Sequence, residues 1–255
     1  MVNASAYNLA RLRGGVKPFR LYWYPRLRST NDHAASLRKR GELFAPAIVL
    51  SGHQLAGRGR GSNTWWSSQG SLTATFVLAI NEQVAPHQLP LLAGLAARNA
   101  AEEVTGIADI QLKWPNDLLY QGRKLCGLLC ERILKADLIG IGMNVNIEPK
   151  KLPPHLRQRV TSLNLISGRS FEITDVLITL ARHLHQTVSR AAERQFSQFL
   201  REYDSHHALR GRNISVTSGN GSPPISGRCE GLDQMGRLLI RSRSTLHHVI
   251  SGQVQ

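Results

Sequence analysis

Two short segments of the chain combine glycine with positive charge. Residues 57–61 read Gly-Arg-Gly-Arg-Gly, and residues 113–117 read Lys-Trp-Pro-Asn-Asp. Alternating glycine and arginine lets the backbone approach an anion closely while guanidinium groups bind it. A lysine near such a loop adds a point charge for a phosphate or carboxylate. The pair therefore predicts a site where a carboxylate meets a nucleotide phosphate.

Each segment taken alone also has an ordinary explanation. The loop lacks the Gly-Lys-Ser/Thr ending of a P-loop, and Ser62 breaks a G-x-G-x-x-G pattern. It could be an arginine-rich surface loop, while Trp65 after it could stack on an adenine or belong to the core. Lys113 could be an exposed strand end, and the Asn-Asp pair after Pro115 could simply form a turn. The prediction therefore depends on the segments acting together.

A third segment places two glycines inside an apolar run. Residues 139–146 read Ile-Gly-Ile-Gly-Met-Asn-Val-Asn. Glycine weakens a strand unless another group must approach its backbone closely, and a β-bulge is the alternative. Gly140 and Gly142 are therefore candidates for a ligand-facing backbone, and Asn144 could face the same ligand.

The overall composition narrows the class of protein. A chain of 255 residues with 42% hydrophobic residues fits one large domain or a catalytic domain plus a small one. The net charge of +15 is spread along the chain, and such a charge favours nucleic acid, anionic membranes, acidic proteins or phosphorylated ligands.

The cysteines and the apolar runs indicate the compartment. Three cysteines argue against a disulfide framework and for a reducing compartment. Cys126 and Cys130 are interpreted as small packed hydrophobes rather than metal ligands, so no metal-ligating residues are predicted. Neither a signal peptide nor a membrane span is evident, and we expect a cytoplasmic protein.

The pattern of apolar residues predicts the elements that position these segments. Strands are expected at 19–24, 47–51, 72–80, 110–114, 118–120, 125–132 and 137–146, the last interrupted at Gly140 and Gly142. Helices are expected from a cap at 29–32 to about residue 40, over 89–104, after a cap at Thr174, and through 196–203. Residues 1–18 are expected to be irregular.

After about residue 209 the sequence pattern changes to short apolar runs separated by turn residues. Short strands are expected at 214–217, 226–230, 238–241 and 246–250, with turns at 219–221 and 234–236. This pattern predicts a small barrel after an α+β unit. We therefore predict a catalytic domain over 1–208 and a small β domain over 209–255.

Taken together, these segments resemble the biotin–protein ligases, also called biotin–[acetyl-CoA-carboxylase] ligases. Four landmarks occur in the family's order: 29–31, 54–60 with Trp65, 113–127 and 140–144. The resemblance implies a mixed β-sheet with helices, as in class II aminoacyl-tRNA synthetases, and an SH3-like C-terminal barrel. It also implies that biotin and ATP, with Mg²⁺, form biotinyl-5′-adenylate. Biotin then passes to a lysine of a carrier domain in a biotin-dependent carboxylase.

The resemblance also implies residue roles, position by position. The implied biotin-binding residues are Ser29, Thr30, Asn31, Gln54, Gly57, Arg58, Gly59, Lys113, Gly127, Gly140 and Gly142. The implied ATP and adenylate residues are Arg60, Trp65, Lys113 and Asn144. The implied catalytic residues are Lys113, Arg60 and Arg58.

The chain departs from the family's pattern in its loop. Many members continue it as Gly-Arg-Arg-Gly-Arg, whereas residues 59–63 read Gly-Arg-Gly-Ser-Asn here. Positive side chains are thus missing at Gly61 and Asn63, which bears on how tightly the loop closes over the adenylate. About 18 residues precede the first expected strand, fewer than the roughly sixty of a helix-turn-helix module. We therefore expect the monofunctional type without DNA binding, as a monomer or homodimer.

Two other functions are compatible with these residues. A lipoate or octanoate ligase or transferase would share the fold and the pocket lysine. A non-enzymatic, nucleic-acid-binding relative is favoured by the high positive charge but opposed by the presence of Arg60 and Lys113.

Overall fold

The computed structural model describes residues 7–193, 196–218 and 222–255. In chain order the elements are α1 (Leu9–Gly15), β1 (Arg20–Tyr24), α2 (Thr30–Lys39), β2 (Ala47–Ser51), β3 (Gly57–Arg58), β4 (Thr64–Trp65), β5 (Ser71–Ala79), α3 (Leu89–Thr105), β6 (Gln111–Lys113), β7 (Asp117–Tyr120), β8 (Arg123–Ile133), β9 (Ala136–Asn144), α4 (Leu163–Ser167), α5 (Ile173–Glu193), α6 (Ser197–Ser205), β10 (Asn213–Thr217), β11 (Ile225–Leu232), β12 (Leu238–Ser242), β13 (Thr245–Val249) and β14 (Gln253–Val254).

A mixed seven-stranded sheet organises the larger part of the chain. Its order is β1-β2-β5-β9-β8-β7-β6, with β1 and β2 parallel and the other neighbours antiparallel. The large core on one face includes residues of α3 and α5, while a second core under α2 contains Ala34, Leu37 and Leu138. Because helices cover both faces, β9 is buried along its whole length. The predicted α+β class with a mixed sheet is confirmed.

The C-terminal part forms a second sheet. It has five antiparallel strands in the order β13-β12-β11-β10-β14. The predicted strands are present, and β14 is an additional one. The predicted turn at 219–221 lies outside the described residues, while the turn at 233–236 meets the start of α3, where Gln88 Nε2 donates to the Met235 carbonyl at 3.2 Å. The division into domains at residue 208 stays a prediction.

Three local predictions were wrong. Residues 1–18 are not irregular throughout, because Asn8 caps α1 and Leu12 is fully buried against the core. Strand β9 is not interrupted at Gly140 and Gly142, since pairing with β5 and β8 on both sides holds it extended. Thr174 does not cap α5, which begins one residue earlier, and its hydroxyl accepts from the Asn8 N–H at 2.9 Å.

Among the described residues, no helix is long and apolar enough to cross a membrane.

Candidate active site

A cavity of about 580 Å³ lies where the start of α2, the loop after β2, the β6–β7 turn and the C-terminal strand meet. Its walls contain most of the residues that the sequence predicted: Ser29, Thr30, Asn31, Gln54, Arg58, Gly59, Arg60, Trp65, Lys113, Gly127, Gly140 and Gly142. Gly57 and Asn144 are the predicted residues outside these walls. The structure therefore brings segments far apart in sequence into one site.

One part of the cavity wall is a buried polar network. The Thr30 N–H donates to Gln54 Oε1 at 2.7 Å, and the Thr30 hydroxyl lies 3.0 Å from the same oxygen. The Thr75 hydroxyl lies 2.8 Å from the Thr30 hydroxyl and 2.6 Å from Asn31 Oδ1. Buried networks of this kind fix their members in place. This wall therefore presents preorganised, uncharged groups suited to a polar ring.

Two glycines of β9 give this wall its shape. A Cβ on Gly140 would lie 2.2 Å from Asn31 Oδ1, and a Cβ on Gly142 would lie 2.4 Å from Trp65 Cε2. The sheet backbone is therefore in direct contact with the neighbouring amide and indole. The indole Nε1 of Trp65 is buried and has no hydrogen-bond partner among the described residues, which leaves it available as a donor to a ligand.

The glycine–arginine loop forms a small hairpin of β3 and β4. The Arg58 guanidinium lies 2.8 Å from Asp32 Oδ1 and 2.9 Å from Glu131 Oε2. Partial burial lowers the pKa of Arg58, but its hydrogen bonds and charge contacts with the two carboxylates outweigh this effect and raise the pKa. Gly57 lies behind the wall, close to the Trp65 carbonyl. The structure thus places Arg58 on carboxylates, and a role for it at a phosphate stays a prediction.

Two other cations face the C-terminal strand. Arg60 donates to the Gly252 carbonyl, and Lys113 Nζ lies 3.4 Å from the Val254 carbonyl. Burial lowers the pKa of Arg60, while the charge of Asp117 opposes that shift. Neither cation has a carboxylate within ion-pair distance in the part of the chain that the structure describes. Both are therefore available to an anionic ligand.

A fourth cation in the cavity wall, Lys124, was not predicted. Lys124 Nζ lies 2.6 Å from Asp117 Oδ1, and a Cβ on Gly127 would lie 2.9 Å from that nitrogen. The β7–β8 hairpin brings these residues together, since Asp117 pairs with Gly127 across the strands. The expected hairpin turn at Gln121 could have indicated this register.

The side chain of Asn144 is buried behind the cavity and is not part of its wall. Its Nδ2 donates to the Thr161 carbonyl at 3.0 Å, and the side chain is buried. A second contact, at 3.4 Å, reaches the carbonyl of Lys124. Asn144 therefore ties the end of β9 to the strand that carries Lys124, and its predicted contact with an adenylate stays a prediction.

The charges of the cavity are unbalanced. Its walls carry Arg58, Arg60, Lys113 and Lys124, whereas Asp117 is the one carboxylate among the described wall residues. The described residues contain no group of three or more His, Cys, Asp or Glu side chains that could hold a metal ion. The cavity can therefore hold an uncharged polar ring near α2 and accumulate negative charge near the cations.

Comparisons with known proteins agree with this geometry. Residues 23–148 match the family model described as the Biotin/lipoate A/B protein ligase family. The bifunctional ligase/repressor BirA of Bacillus subtilis is 30% identical over 216 residues, which is 82% of this chain and 65% of that protein. The biotin–[acetyl-CoA-carboxylase] ligase of Paracoccus denitrificans is 28% identical over 228 residues, which is 84% of this chain and 92% of that protein.

A solved structure extends the similarity to the whole fold. The biotin protein ligase from Aquifex aeolicus, in complex with biotin and ATP, superposes with a TM-score of 0.83 at 27% identity. The match covers 92% of this chain and 97% of that one. The sequence landmarks and the mixed sheet agree with these comparisons, and over residues 23–148, just under half of its length, the chain is similar to the Biotin/lipoate A/B protein ligase family.

Proposed function

We propose that the protein activates biotin with ATP and transfers the biotinyl group to a lysine of a carrier domain. One observation carries the proposal: a single cavity combines the buried polar network around Thr30 and Gln54 with the cations Arg60, Lys113 and Lys124. Similarity to a biotin protein ligase solved with biotin and ATP supports this choice of substrates.

The first step joins two anions. An oxygen of the biotin carboxylate attacks the α-phosphorus of ATP, a new P–O bond forms, and pyrophosphate leaves with the electrons of the broken P–O bond. Arg60, Lys113 and Lys124 lower the repulsion between the carboxylate and the phosphates and stabilise the charge that accumulates in the transition state. The uncharged ring of biotin would occupy the polar wall near Thr30.

Mg²⁺ would accompany ATP and neutralise phosphate charge. Asp117 is the one carboxylate that the described wall offers to such an ion, and Lys124 already contacts it at 2.6 Å. Mg²⁺ commonly binds through substrate phosphates and water with few protein ligands. The residues present fit an ion held mainly by the nucleotide.

The second step needs a neutral amine from the acceptor. That amine attacks the carbonyl carbon of the mixed anhydride, an amide bond forms, AMP leaves, and the nitrogen loses a proton. Asp117 is the described wall carboxylate that could accept this proton or orient the amine. A nucleophile of the chain itself is not required.

The partners belong to the same proposal. The acceptor would be a biotin carboxyl carrier domain, whose acidic surface would be attracted to a chain with a net charge of +15. We also propose monofunctional action without DNA, as a monomer or homodimer. A cytoplasmic location is supported by three free cysteines.

The decisive assay is incorporation of labelled biotin into a carrier domain with Mg-ATP. We expect transfer by the wild type and its loss in Lys113→Ala. Lys151→Ala is the matched control, because Lys151 is exposed and pairs with Glu148 away from the cavity. Transfer that is equal in all three proteins would contradict the assigned site.

Parallel assays separate the alternatives. Incorporation of octanoate or lipoate without biotin would favour a lipoate or octanoate enzyme. Binding of duplex DNA at physiological salt, with neither biotin binding nor transfer, would favour the nucleic-acid-binding relative.

A further inference from the structure

One carboxylate connects the polar wall of the cavity with the glycine–arginine loop. Both oxygens of Glu131 lie 2.9 Å from an Arg58 nitrogen. Glu131 Oε2 also accepts from Asn31 Nδ2 at 2.8 Å. Glu131 stands on β8, whereas Arg58 belongs to the hairpin loop and Asn31 to the first turn of α2. The carboxylate therefore joins Asn31 and Arg58, two residues of the cavity wall that belong to different elements.

The Asn31 side of this connection is rigid. Asn31 Nδ2 also donates to the Leu129 carbonyl at 3.1 Å, and Asn31 Oδ1 lies 2.6 Å from the Thr75 hydroxyl. The amide rests against Gly140, where even a Cβ would collide with it. Because Asn31 has little room to move independently, a displacement of its amide would also displace the hydrogen-bonded carboxylate of Glu131.

The Arg58 side is exposed. The side-chain exposures are 43% for Arg58, 53% for Asp32 and 25% for Glu131. Single exposed ion pairs contribute little to stability. By contrast, Asp137, which pairs with Arg132 in the same sheet, is only 2% exposed. The contacts of Arg58 are thus weak enough to break and re-form as the loop opens and closes, unlike the buried pair of Asp137 with Arg132.

We propose that Asp32, Arg58 and Glu131 form a carboxylate clasp that holds loop 57–65 closed over the cavity. Glu131 is a positioning residue. Its hydrogen bond with Asn31 connects it to the polar wall, and its ion pair with Arg58 connects it to the loop, so a displacement of Asn31 changes the position of the loop. The clasp takes no part in the chemistry and acts by retaining biotin and its adenylate. The identity of the retained ligand rests on the proposed function, whereas the loop closure does not.

The first test uses the protein without ligand. Trypsin cleaves after Arg60, inside the loop, and the cleavage rate reports how often the loop opens. Glu131→Gln and Asp32→Asn should each raise this rate about fivefold, the upper range for an exposed pair. Glu42→Gln is the control, because Glu42 forms a similar exposed pair with Arg40 away from the cavity. Asp32→Asn leaves the Asn31 contact intact and tests the clasp independently.

The second test measures biotin binding in a double-mutant cycle. Glu131→Gln and Arg58→Ala should each raise the dissociation constant for biotin about fivefold, and the double variant should resemble Arg58→Ala alone. The KM for ATP should change less than the dissociation constant for biotin. The unfolding temperatures of all variants should stay near the wild-type value.

The opposite results would overturn the clasp. They are wild-type trypsin rates in both carboxylate variants, an undiminished Glu131→Gln effect in the Arg58→Ala background, or a rise in the KM for ATP with unchanged biotin binding. The last would mean that Arg58 binds the nucleotide. If the wild type bound no biotin while the trypsin effect persisted, the proposed function would fail and the clasp would stand.

Discussion

The Nζ atom of Lys124 lies 2.6 Å from Oδ1 of Asp117, inside the cavity and directly beside Gly127. The two charges neutralise each other in the absence of ligand. A phosphate that binds next to Lys124 would compete with Asp117 for the ammonium and weaken this pair. Binding of the phosphate in the first reaction step would thus free the carboxylate of Asp117 for the second step.

Separate assays of the two steps should distinguish these residues. Lys124→Ala should lower adenylate formation by a factor of about 10² to 10³, because one donor to the developing charge is lost. Asp117→Asn should form adenylate within a few-fold of the wild type but transfer biotin to the carrier more slowly. Pyrophosphate exchange measures the first step, and transfer from preformed adenylate measures the second. Equal losses in both steps for both variants would contradict this division.

Arg60 should act on the nucleotide. Arg60→Ala removes a partly buried guanidinium whose described partner is the Gly252 main-chain carbonyl. We expect the KM for ATP to rise by about tenfold or more, the range for a hydrogen bond to a charged group, with a smaller change for biotin. Arg241→Ala is the control, since Arg241 is an exposed arginine paired with Glu230 on the C-terminal sheet. Unchanged ATP kinetics in Arg60→Ala would exclude the predicted contact.

A pair of glycine substitutions should have opposite effects. Gly142→Ala places a methyl group 2.4 Å from Trp65 Cε2, so the indole must shift, at a cost of about 1–3 kcal/mol, and ATP binding should weaken. Gly94 lies inside α3, where a Cβ would meet Leu112 at an ordinary 3.4 Å. Gly94→Ala should therefore be neutral or stabilise the protein by about 0.5–1 kcal/mol. Thermal unfolding and ATP titration of both variants check this contrast.

Asp233 should make the C-terminal sheet sensitive to acid. Burial raises the pKa of this carboxyl, but hydrogen bonds from His248, Arg237 and the Met235 N–H outweigh burial and lower the pKa below the usual 3.8. A lowered pKa stabilises the fold above about pH 3.8, and this stabilisation disappears as the pH falls through the folded-state value.

Replacing the carboxylate of Asp233 tests the direction of this pH dependence. Asp233→Asn should cost about 1–3 kcal/mol at pH 7, and its difference from the wild type should shrink below about pH 4. Asp175→Asn is the control, because Asp175 forms an exposed pair with Arg11 and should change stability little. Denaturant unfolding at several pH values measures both. A difference that grows on acidification would contradict the assigned direction.

Local patterns predicted most elements of the frame, and the family resemblance supplied most of the predicted residues that line the cavity. Alternating and continuous apolar runs located the main strands, and the glycine-containing segments do converge. Gly127 and Gly142 are direct neighbours across β8 and β9. Both glycines lie on strands that were correctly located, whereas their position opposite each other follows from the pairing of β8 with β9, which the sequence analysis did not specify.

The remaining parts of the site depend on non-local contacts. Lys124 reads as an ordinary strand-end lysine until the hairpin register places it beside Asp117. Helix α1 is only seven residues long and contains two arginines, and its position depends on the packing of Leu12 against a distant part of the chain. The position of Arg58 depends on Asp32 and Glu131, which lie on two different elements. Sequence spacing contains none of this information.

The wall formed by the C-terminal strand has a consequence for how such proteins diverge. Arg60 and Lys113 contact Gly252 and Val254 through main-chain carbonyl oxygens. Every amino acid supplies a carbonyl, so substitution at position 254 can change the side chain while the contact survives. Position 252 is less free, because a Cβ there would lie 2.3 Å from Val216. Side chains of this wall can therefore change during evolution while the main-chain contacts to Arg60 and Lys113 remain. Sequence conservation would consequently reveal little of the part of the site that contacts these cations.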